Sequence, residues 1–95
     1  MVNWVLGIDV GMRKTGIAVG QSITKQARPL DIIYCDIKKL SAHHFEKIIK
    51  EWKVGQVVLG LPSLQDGKKH PLEKHIRRIA DDIRSCYQLD VFFCR

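Results

Sequence analysis

Residues 6–20 decide the fold, and they read Leu-Gly-Ile-Asp-Val-Gly-Met-Arg-Lys-Thr-Gly-Ile-Ala-Val-Gly. Two apolar runs flank a short basic turn, a pattern that predicts a β-hairpin. Side chains in a strand alternate between the two faces, so Asp9 shares a face with the small Gly7 and not with Ile8. Gly7 and Gly11 carry no Cβ, so another backbone, a metal or a phosphate can approach Asp9 closely from either side.

The carboxylate of Asp9 has two interpretations. Asp and Gly together at a strand end are ordinary turn chemistry, in which Asp9 accepts turn hydrogen bonds while Arg13 and Lys14 are solvated. In the second interpretation Asp9 is a functional carboxylate, with Arg13 and Lys14 beside it for an anionic ligand. The local spacing favours the turn, and the rest of the chain supports the functional role.

Length and composition indicate one small globular domain. The chain has 95 residues, 45% of them hydrophobic and 27% charged, which is enough for a single core. Sixteen Lys and Arg against ten Asp and Glu give a net charge of +6. This balance favours a polyanionic partner such as nucleic acid, although a solvated basic surface accounts for the charge about as well.

The cysteine pattern and the apolar runs indicate where the protein resides. Cys35, Cys86 and Cys94 are too far apart for a C-x-x-C metal or redox motif, so we expect reduced and mostly buried thiols. The N-terminus enters a strand pattern without a leader, and no apolar run approaches the roughly 20 residues of a membrane helix. We therefore expect a cytoplasmic protein without a membrane partner.

A third strand is predicted to follow the hairpin. Pro29 cannot donate to a β-ladder and therefore belongs at the start or edge of a strand over 30–37. Three consecutive strands with short connections favour an antiparallel meander. Ser41 then begins a helix over 41–52 with a continuous apolar stripe.

The second half of the chain predicts a strand, a helix and a strand. Residues 56–61 are apolar without alternation, which indicates a central strand covered on both faces and parallel to its neighbour. Pro71 fits the first turn of a second helix, and a short strand follows over 89–94. The whole is an α/β fold with a ribonuclease-H-like mixed sheet, in which Asp9 and the loop after Gly60 face one crevice.

Four short motifs occur here in the order and spacing of a known family. They are Gly7-Ile8-Asp9-Val10-Gly11 with Lys14-Thr15-Gly16-Ile17-Ala18-Val19, then Ala27-Arg28-Pro29-Leu30, then Val58-Leu59-Gly60-Leu61-Pro62, and then Asp66-Gly67. On these motifs the chain resembles the YqgF/RuvX family, Holliday-junction-resolvase-like proteins assigned to maturing the 5′ end of pre-16S rRNA. The resemblance runs along essentially the whole chain.

The resemblance implies a nuclease of the ribonuclease H fold that acts on RNA or branched DNA. Acidic residues of such enzymes hold Mg²⁺ or Mn²⁺, which activates a water and neutralises charge on the attacked phosphate. Carried over, Asp9 becomes the catalytic, metal-binding carboxylate of the first strand. The implied substrate contacts are Arg13, Lys14, Lys68 and Lys69, and the implied cleft-shaping residues are Gly7, Gly11, Gly60, Pro62, Asp66 and Gly67.

The chain also departs from the family pattern. Family members continue past the fifth strand into an Asp-Glu-Arg motif and a later acidic helix, whereas this sequence reaches Arg95 without them. We therefore expect a single domain over 1–95 that is incomplete at its C-terminal side and binds Mg²⁺ weakly through Asp9. Asp31, Asp36 and Asp66 are candidate replacements that their spacing does not recommend. An uncovered sheet face would favour a homo-oligomer.

Two other functions stay open. One is a non-catalytic nucleic-acid-binding or assembly module, and the other, more remote, is a fragment of an actin-like or sugar-kinase-type ATP-binding protein. The latter proteins close a second lobe over the nucleotide, which 95 residues do not provide. The basic side of the second helix, with Lys74, Arg77 and Arg78, alternates with acidic residues and is interpreted as a solvated surface.

Overall fold

The predicted hairpin lies at the middle of the sheet in the computed structural model, which describes residues 4–21, 28–62 and 70–94. Strand β1 spans Trp4–Val10 and strand β2 spans Lys14–Gly20. The two strands pair antiparallel, with Asp9 opposite Gly16. The hairpin is therefore confirmed, together with the placement of Asp9 near its turn.

The remaining elements follow the predicted order. They are β3 (Arg28–Tyr34), a 3-10 turn (Ala42–Phe45) that continues into α1 (Glu46–Glu51), β4 (Val54–Gly60), α2 (Glu73–Tyr87) and β5 (Asp90–Cys94). The described strands form one sheet in the order β3-β2-β1-β4-β5, with β3 antiparallel to β2 and with β4 parallel to both β1 and β5. This confirms the α/β mixed sheet. Within the described ranges no helix is long and apolar enough to cross a membrane.

One face of the sheet carries the core. The large strand residues on this face pack against the two described helices and the 3-10 turn. The helical segments contribute Phe45, Ile49, Ile76, Ile79 and Ile83 to this core, and each of these side chains is almost fully buried. The spacing of the last three residues gives α2 one apolar stripe along its length, so its packing follows from the sequence period.

The opposite face of the sheet, called the open face below, carries small residues at its centre. Gly7 lies between Ala18 of β2 and Val58 of β4, and Asp9 lies beside Gly16. In the described part of the chain, neither helix contributes to a core on this side. The expectation that residues 56–61 are covered on both faces is therefore wrong, because both helices pack against the same face.

The third strand is shorter at its end than predicted. It stops at Tyr34 because the backbone then turns to bind the hairpin turn. The N–H of Cys35 donates to the carbonyl of Arg13 (3.0 Å), and the N–H of Ile37 donates to the carbonyl of Met12 (2.9 Å). These bonds attach the turn to the segment after β3. Pro29 lies in this edge strand, beside an irregularity in the β2–β3 register, as a residue without an N–H should.

The first helical segment begins after the predicted Ser41, and its last helical residue is Glu51. The N–H of Ser41 donates to Nδ1 of His44 (3.2 Å), so this exposed histidine caps the helical segment. Lys53 ends it in the left-handed conformation, with φ of 50°. The predicted i,i+4 pair between Glu46 and Lys50 is present at 3.1 Å.

Basic residues of α2 bind groups within the chain. Arg78 donates to the carbonyls of Ile37 (2.9 Å) and Leu40 (3.2 Å), which attaches the helix to the turn before α1. Arg77 pairs with the buried carboxylate of Glu73 at 3.3 Å. Both guanidinium groups have structural partners, which agrees with the sequence interpretation that this is not a dedicated nucleic-acid face.

The end of α2 is attached in the same way. Asp82 accepts a hydrogen bond from the N–H of Ala42 (2.8 Å), and the Tyr87 hydroxyl donates to the carbonyl of Ala42 (2.8 Å). Burial raises the pKa of the Tyr87 phenol, so it keeps the proton that it donates. Arg84 donates to the carbonyl of Val91 in β5 (2.6 Å).

The cysteines are less buried than predicted. Cys35 is partly buried, whereas Cys86 and Cys94 are exposed. Cys86 follows the apolar stripe of α2 in sequence, but Ile83 and Tyr87 occupy the positions nearest the core. Its side chain instead lies beside the carboxylate of Asp82.

We predict that Gly11→Ala destabilises the fold through the hairpin turn. A Cβ at this position would lie 2.7 Å from the backbone oxygen of Lys14, closer than non-bonded atoms tolerate. The free energy of unfolding, measured by urea titration, should fall by about 1–3 kcal/mol.

Gly60→Ala is the matched control for this prediction. A Cβ at position 60 would meet nothing within 4 Å, so unfolding should change by less than about 0.5 kcal/mol. Equal effects of the two substitutions would show that the clash between a Cβ at position 11 and the Lys14 oxygen is not what destabilises Gly11→Ala.

Candidate functional site

A groove of about 640 Å³ lies on the open face, at the carboxyl ends of β1 and β4. Its floor is made of small residues, and its end wall comes from residues 60–62 at the end of β4 and from His70 and Leu72 before α2. The groove is lined by Gly7, Ile8, Asp9, Val10, Gly16, Ile17, Ala18, Pro29, Asp31, Ile32, Val58, Gly60, Leu61, Pro62, His70, Leu72 and Cys94. The predicted crevice between Asp9 and the segment after Gly60 is therefore present.

The side chain of Asp9 is exposed in this groove. Ile8 lies opposite Leu59 in the parallel pair, so the next residues, Asp9 and Gly60, emerge side by side. Among the described residues, the carboxylate has no hydrogen-bonding partner and no ion pair. The turn is closed instead by the N–H of Gly11, which donates to the carbonyl of Lys14 at 2.9 Å. The described part of the chain thus gives Asp9 no turn-capping role.

The basic turn residues lie at the same end of the sheet. Both Arg13 and Lys14 are exposed. A second cavity of about 310 Å³ is lined by Asp9, Gly11, Lys14, Gly16 and Ile32, so it shares Asp9 with the main groove. Lys14 therefore lies beside Asp9, whereas Arg13 lines neither cavity. An anion bound near Asp9 would be within reach of the Lys14 ammonium.

Several predicted residues lie outside the described ranges. They are Asp66, Gly67, Lys68 and Lys69. Of the other candidate carboxylates, Asp31 lines the main groove. Asp36 does not, and its carboxylate accepts a hydrogen bond from the N–H of Lys38 at 2.8 Å. Asp31 is thus the described carboxylate that shares the groove with Asp9.

The donor atoms of the described residues do not make a metal site by themselves. Within 4–21, 28–62 and 70–94 there is no group of three or more His, Cys, Asp or Glu side chains that could hold an ion. Mg²⁺ prefers several oxygen ligands in octahedral geometry and otherwise retains its water. The weak Mg²⁺ site at Asp9 therefore stays a prediction.

Sequence reasoning missed three residues near the groove. His70 lines it, and its Nδ1 accepts a hydrogen bond from the N–H of Leu72 (3.1 Å), so it shapes the approach to α2. Cys94 reaches the groove because β5 lies parallel to β4. Tyr34 lies at the end of β3, opposite Lys14. The signal for Tyr34 was its alternation with Ile33, which places it on the open face.

A comparison with protein families gives a match along nearly the whole chain. Residues 3–95 match the family model RuvX, described as Holliday junction resolvase. The chain belongs to the RuvX family. Since this match covers nearly all of the sequence, the resemblance seen in the four motifs is confirmed.

Two relatives of the chain carry the same name. The chain is 37% identical over 87 residues to the "Putative pre-16S rRNA nuclease" of Bordetella petrii, covering 92% of this chain and 66% of that protein. It is 38% identical over 91 residues to the protein of the same name from Haemophilus ducreyi, with 96% and 66% coverage. The chain thus spans 66% of the length of each of these two relatives.

Solved structures show the same fold at low identity. Thermus thermophilus RuvC matches with a TM-score of 0.62 and 14% identity, over 96% of this chain and 63% of that one. RuvC in complex with a Holliday junction substrate matches at 0.63 and 12%, over 97% and 64%. These matches confirm the ribonuclease-H-like architecture.

A protein of another class also shares this architecture. A Cytophaga hutchinsonii protein described as a "putative sugar kinase" matches with a TM-score of 0.58 and 18% identity, over 96% of this chain and 35% of that one. The fold alone therefore does not separate a nuclease from an ATP-binding fragment. The family match separates them, and it favours the RuvX side.

Proposed function

We propose that this chain is the part of a RuvX-family nuclease that binds structured nucleic acid on its open face, with Asp9 as a metal-binding carboxylate. The supporting observation is the exposed carboxylate of Asp9, which has no partner among the described residues and lies at the carboxyl ends of two parallel strands, with Lys14 beside it. The name of the curated relatives and the RuvC complex with a Holliday junction support RNA or branched DNA as the substrate class.

The charges in the groove explain why a divalent cation belongs to this proposal. A phosphodiester and the carboxylate of Asp9 repel each other, and one Lys14 ammonium does not balance both anions. Mg²⁺ or Mn²⁺, as the family resemblance implies, would remove this repulsion. Since the described residues offer few ligands, water molecules and phosphate oxygens of the bound nucleic acid would complete the coordination of the ion.

We predict that Asp9→Asn strongly reduces cleavage while leaving the fold intact. Asparagine keeps the shape of the side chain and removes its charge, and this position is exposed. Cleavage of pre-16S rRNA or a four-way DNA junction, assayed with Mg²⁺ or Mn²⁺, should fall on the order of 100-fold, a typical effect of removing one charged group from a catalytic site.

Asp36→Asn is the control for this experiment. It removes the same charge from a carboxylate that lies outside the groove and accepts a turn hydrogen bond. Cleavage by the control should match the parent, and thermal unfolding should show that both variants are folded. Equal cleavage by the parent and Asp9→Asn would remove Asp9 from the mechanism.

A second function is favoured by one observation. The described residues contain no cluster of three metal-binding side chains, which is what a non-catalytic nucleic-acid-binding module would show. In that case the groove and its cations bind phosphates without any chemistry. Absence of cleavage together with salt-dependent binding would favour this second function. The organisation as one domain over 1–95 and the cytoplasmic location stay predictions.

We predict that binding of a nucleic acid weakens steeply with salt, because phosphate contacts release counterions. For a single-stranded probe, the plot of log affinity against log salt should lose about 0.7 from its slope when Arg13 is replaced by Ala. Lys47→Ala is the control, since Lys47 is an exposed lysine on α1. Affinity that does not change between low and high salt would contradict phosphate-driven binding.

We also propose that two copies of the chain associate through their open faces. Large apolar side chains are exposed there, including Phe92 at 50% and Ile32 at 45%. Exposed apolar side chains favour association over hydration. Because Asp9 lies on the same face, association and nucleic-acid binding would compete.

We predict that the parent shows a concentration-dependent monomer–dimer equilibrium in sedimentation velocity and that Phe92→Lys shifts it to monomer. Lys47→Ala, which changes a side chain on α1, should leave the equilibrium as in the parent. A single-stranded oligonucleotide should also shift the parent to monomer. A parent that is monomeric at all concentrations would contradict the proposal.

A further inference from the structure

Tyr34 is the most exposed of the large hydrophobic side chains in the described ranges. Its relative exposure is 78%, compared with 65% for Met12 and 50% for Phe92. Within those ranges its hydroxyl has no hydrogen-bonding partner. A tyrosine ring in water forgoes the stabilisation that burial would give it. The described part of the fold leaves this ring in solvent, where a ligand can reach it.

The strand register places Tyr34 near Asp9. Tyr34 lies opposite Lys14 in the β2–β3 pair, and Asp9 lies opposite Gly16 in the β1–β2 pair. Side chains two residues apart in a strand share a face, so all these positions belong to the open face. Two strand spacings and a rise of two residues put the Cα atoms of Tyr34 and Asp9 about 12 Å apart.

Hydrogen bonds hold the backbone in place at Lys14 and next to Tyr34. The N–H of Gly11 donates to the carbonyl of Lys14 (2.9 Å), and the residue after Tyr34, Cys35, donates its N–H to the carbonyl of Arg13 (3.0 Å). A ligand therefore does not have to order the turn when it binds. Preorganisation of this kind lowers the entropic cost of association.

The side chains of Lys14 and Tyr34 complement an unpaired nucleotide. An ammonium group attracts a phosphate, and an exposed aromatic ring stacks on a base, a contact that every base can make. In a duplex the faces of the bases are covered by their neighbours, whereas single strands, bulges and ends present them. A ring beside a lysine thus distinguishes unpaired from paired nucleotides.

We infer that Lys14 and Tyr34 bind one unpaired nucleotide beside the Asp9 groove, with Lys14 on the phosphate and the Tyr34 ring against the base. This inference rests on the proposed function, because it assigns a substrate contact to the same groove. It adds that the nucleic acid is single-stranded next to the site. At roughly 3.4 Å per stacked nucleotide, the stacked base lies within about three or four nucleotides of the phosphate at Asp9.

Binding without divalent metal tests the inference separately from cleavage. Fluorescence anisotropy in EDTA would compare a labelled single-stranded RNA, a DNA of the same sequence and the corresponding blunt duplex. Tyr34→Ala should weaken single-strand binding about tenfold, whereas Tyr34→Phe keeps the ring and should bind as the parent does. Duplex binding should not respond to either change.

Met12→Ala is the matched control, since it removes an exposed apolar side chain from the neighbouring turn. It should leave binding unchanged, and an equal loss from Met12→Ala and Tyr34→Ala would overturn the stacking contact. Thermal unfolding of each variant should match the parent because both side chains are exposed.

A single abasic nucleotide, moved along the strand, locates the contact. In the parent, one position should lose about tenfold in affinity, and in Tyr34→Ala that position should cost nothing further. Lys14→Ala should lower the salt slope by about 0.7 and keep the abasic penalty. The strand type that shows this pattern, RNA or DNA, identifies the ligand, and absence of the pattern in both overturns the inference.

The outcomes separate the two proposals. Binding that depends on Tyr34 without any cleavage would refute the nuclease and retain the nucleotide site. Cleavage that depends on Asp9, with binding that is indifferent to Tyr34, would refute the nucleotide site and retain the nuclease.

Discussion

Parallel pairing of β1 with β4 determines where a ligand can bind. It brings the carboxyl ends of two strands that are distant in sequence to one end of the sheet, so that Asp9 emerges beside Gly60. The antiparallel strand β2 begins at that end and places Lys14 there. Asp9 and Lys14 lie near each other because backbone hydrogen bonds set the strand register, and they form no ion pair with each other.

The sheet has two chemically different faces, and this difference separates stability from function. Large residues on one face are buried against the helices, and Arg78 and Asp82 attach α2 to the segment before α1. Small residues on the other face leave room above the sheet, where the groove lies. Substitutions on the first face should therefore affect folding, and substitutions on the second should mainly affect ligands.

Local periodicity predicted the hairpin, the order of the elements and the position of Asp9, because period and turn chemistry act over a few residues. The coverage of β4 could not be predicted, since it depends on which face of the sheet the helices choose. The exposure of Cys86 and the early end of β3 depend on contacts between distant segments, such as Ile37 with Met12. The position of Tyr34 opposite Lys14 depends on the register between β2 and β3, which short-range patterns do not determine.

The two edges of the sheet are both unsuited to pairing with a further strand. On β5, the carbonyl of Val91 already accepts a hydrogen bond from Arg84. On β3, Pro29 lacks an N–H and lies beside the register irregularity. Growth of the sheet by edge-to-edge addition, the geometry of amyloid-like aggregation, is therefore disfavoured at these two positions of the described edges.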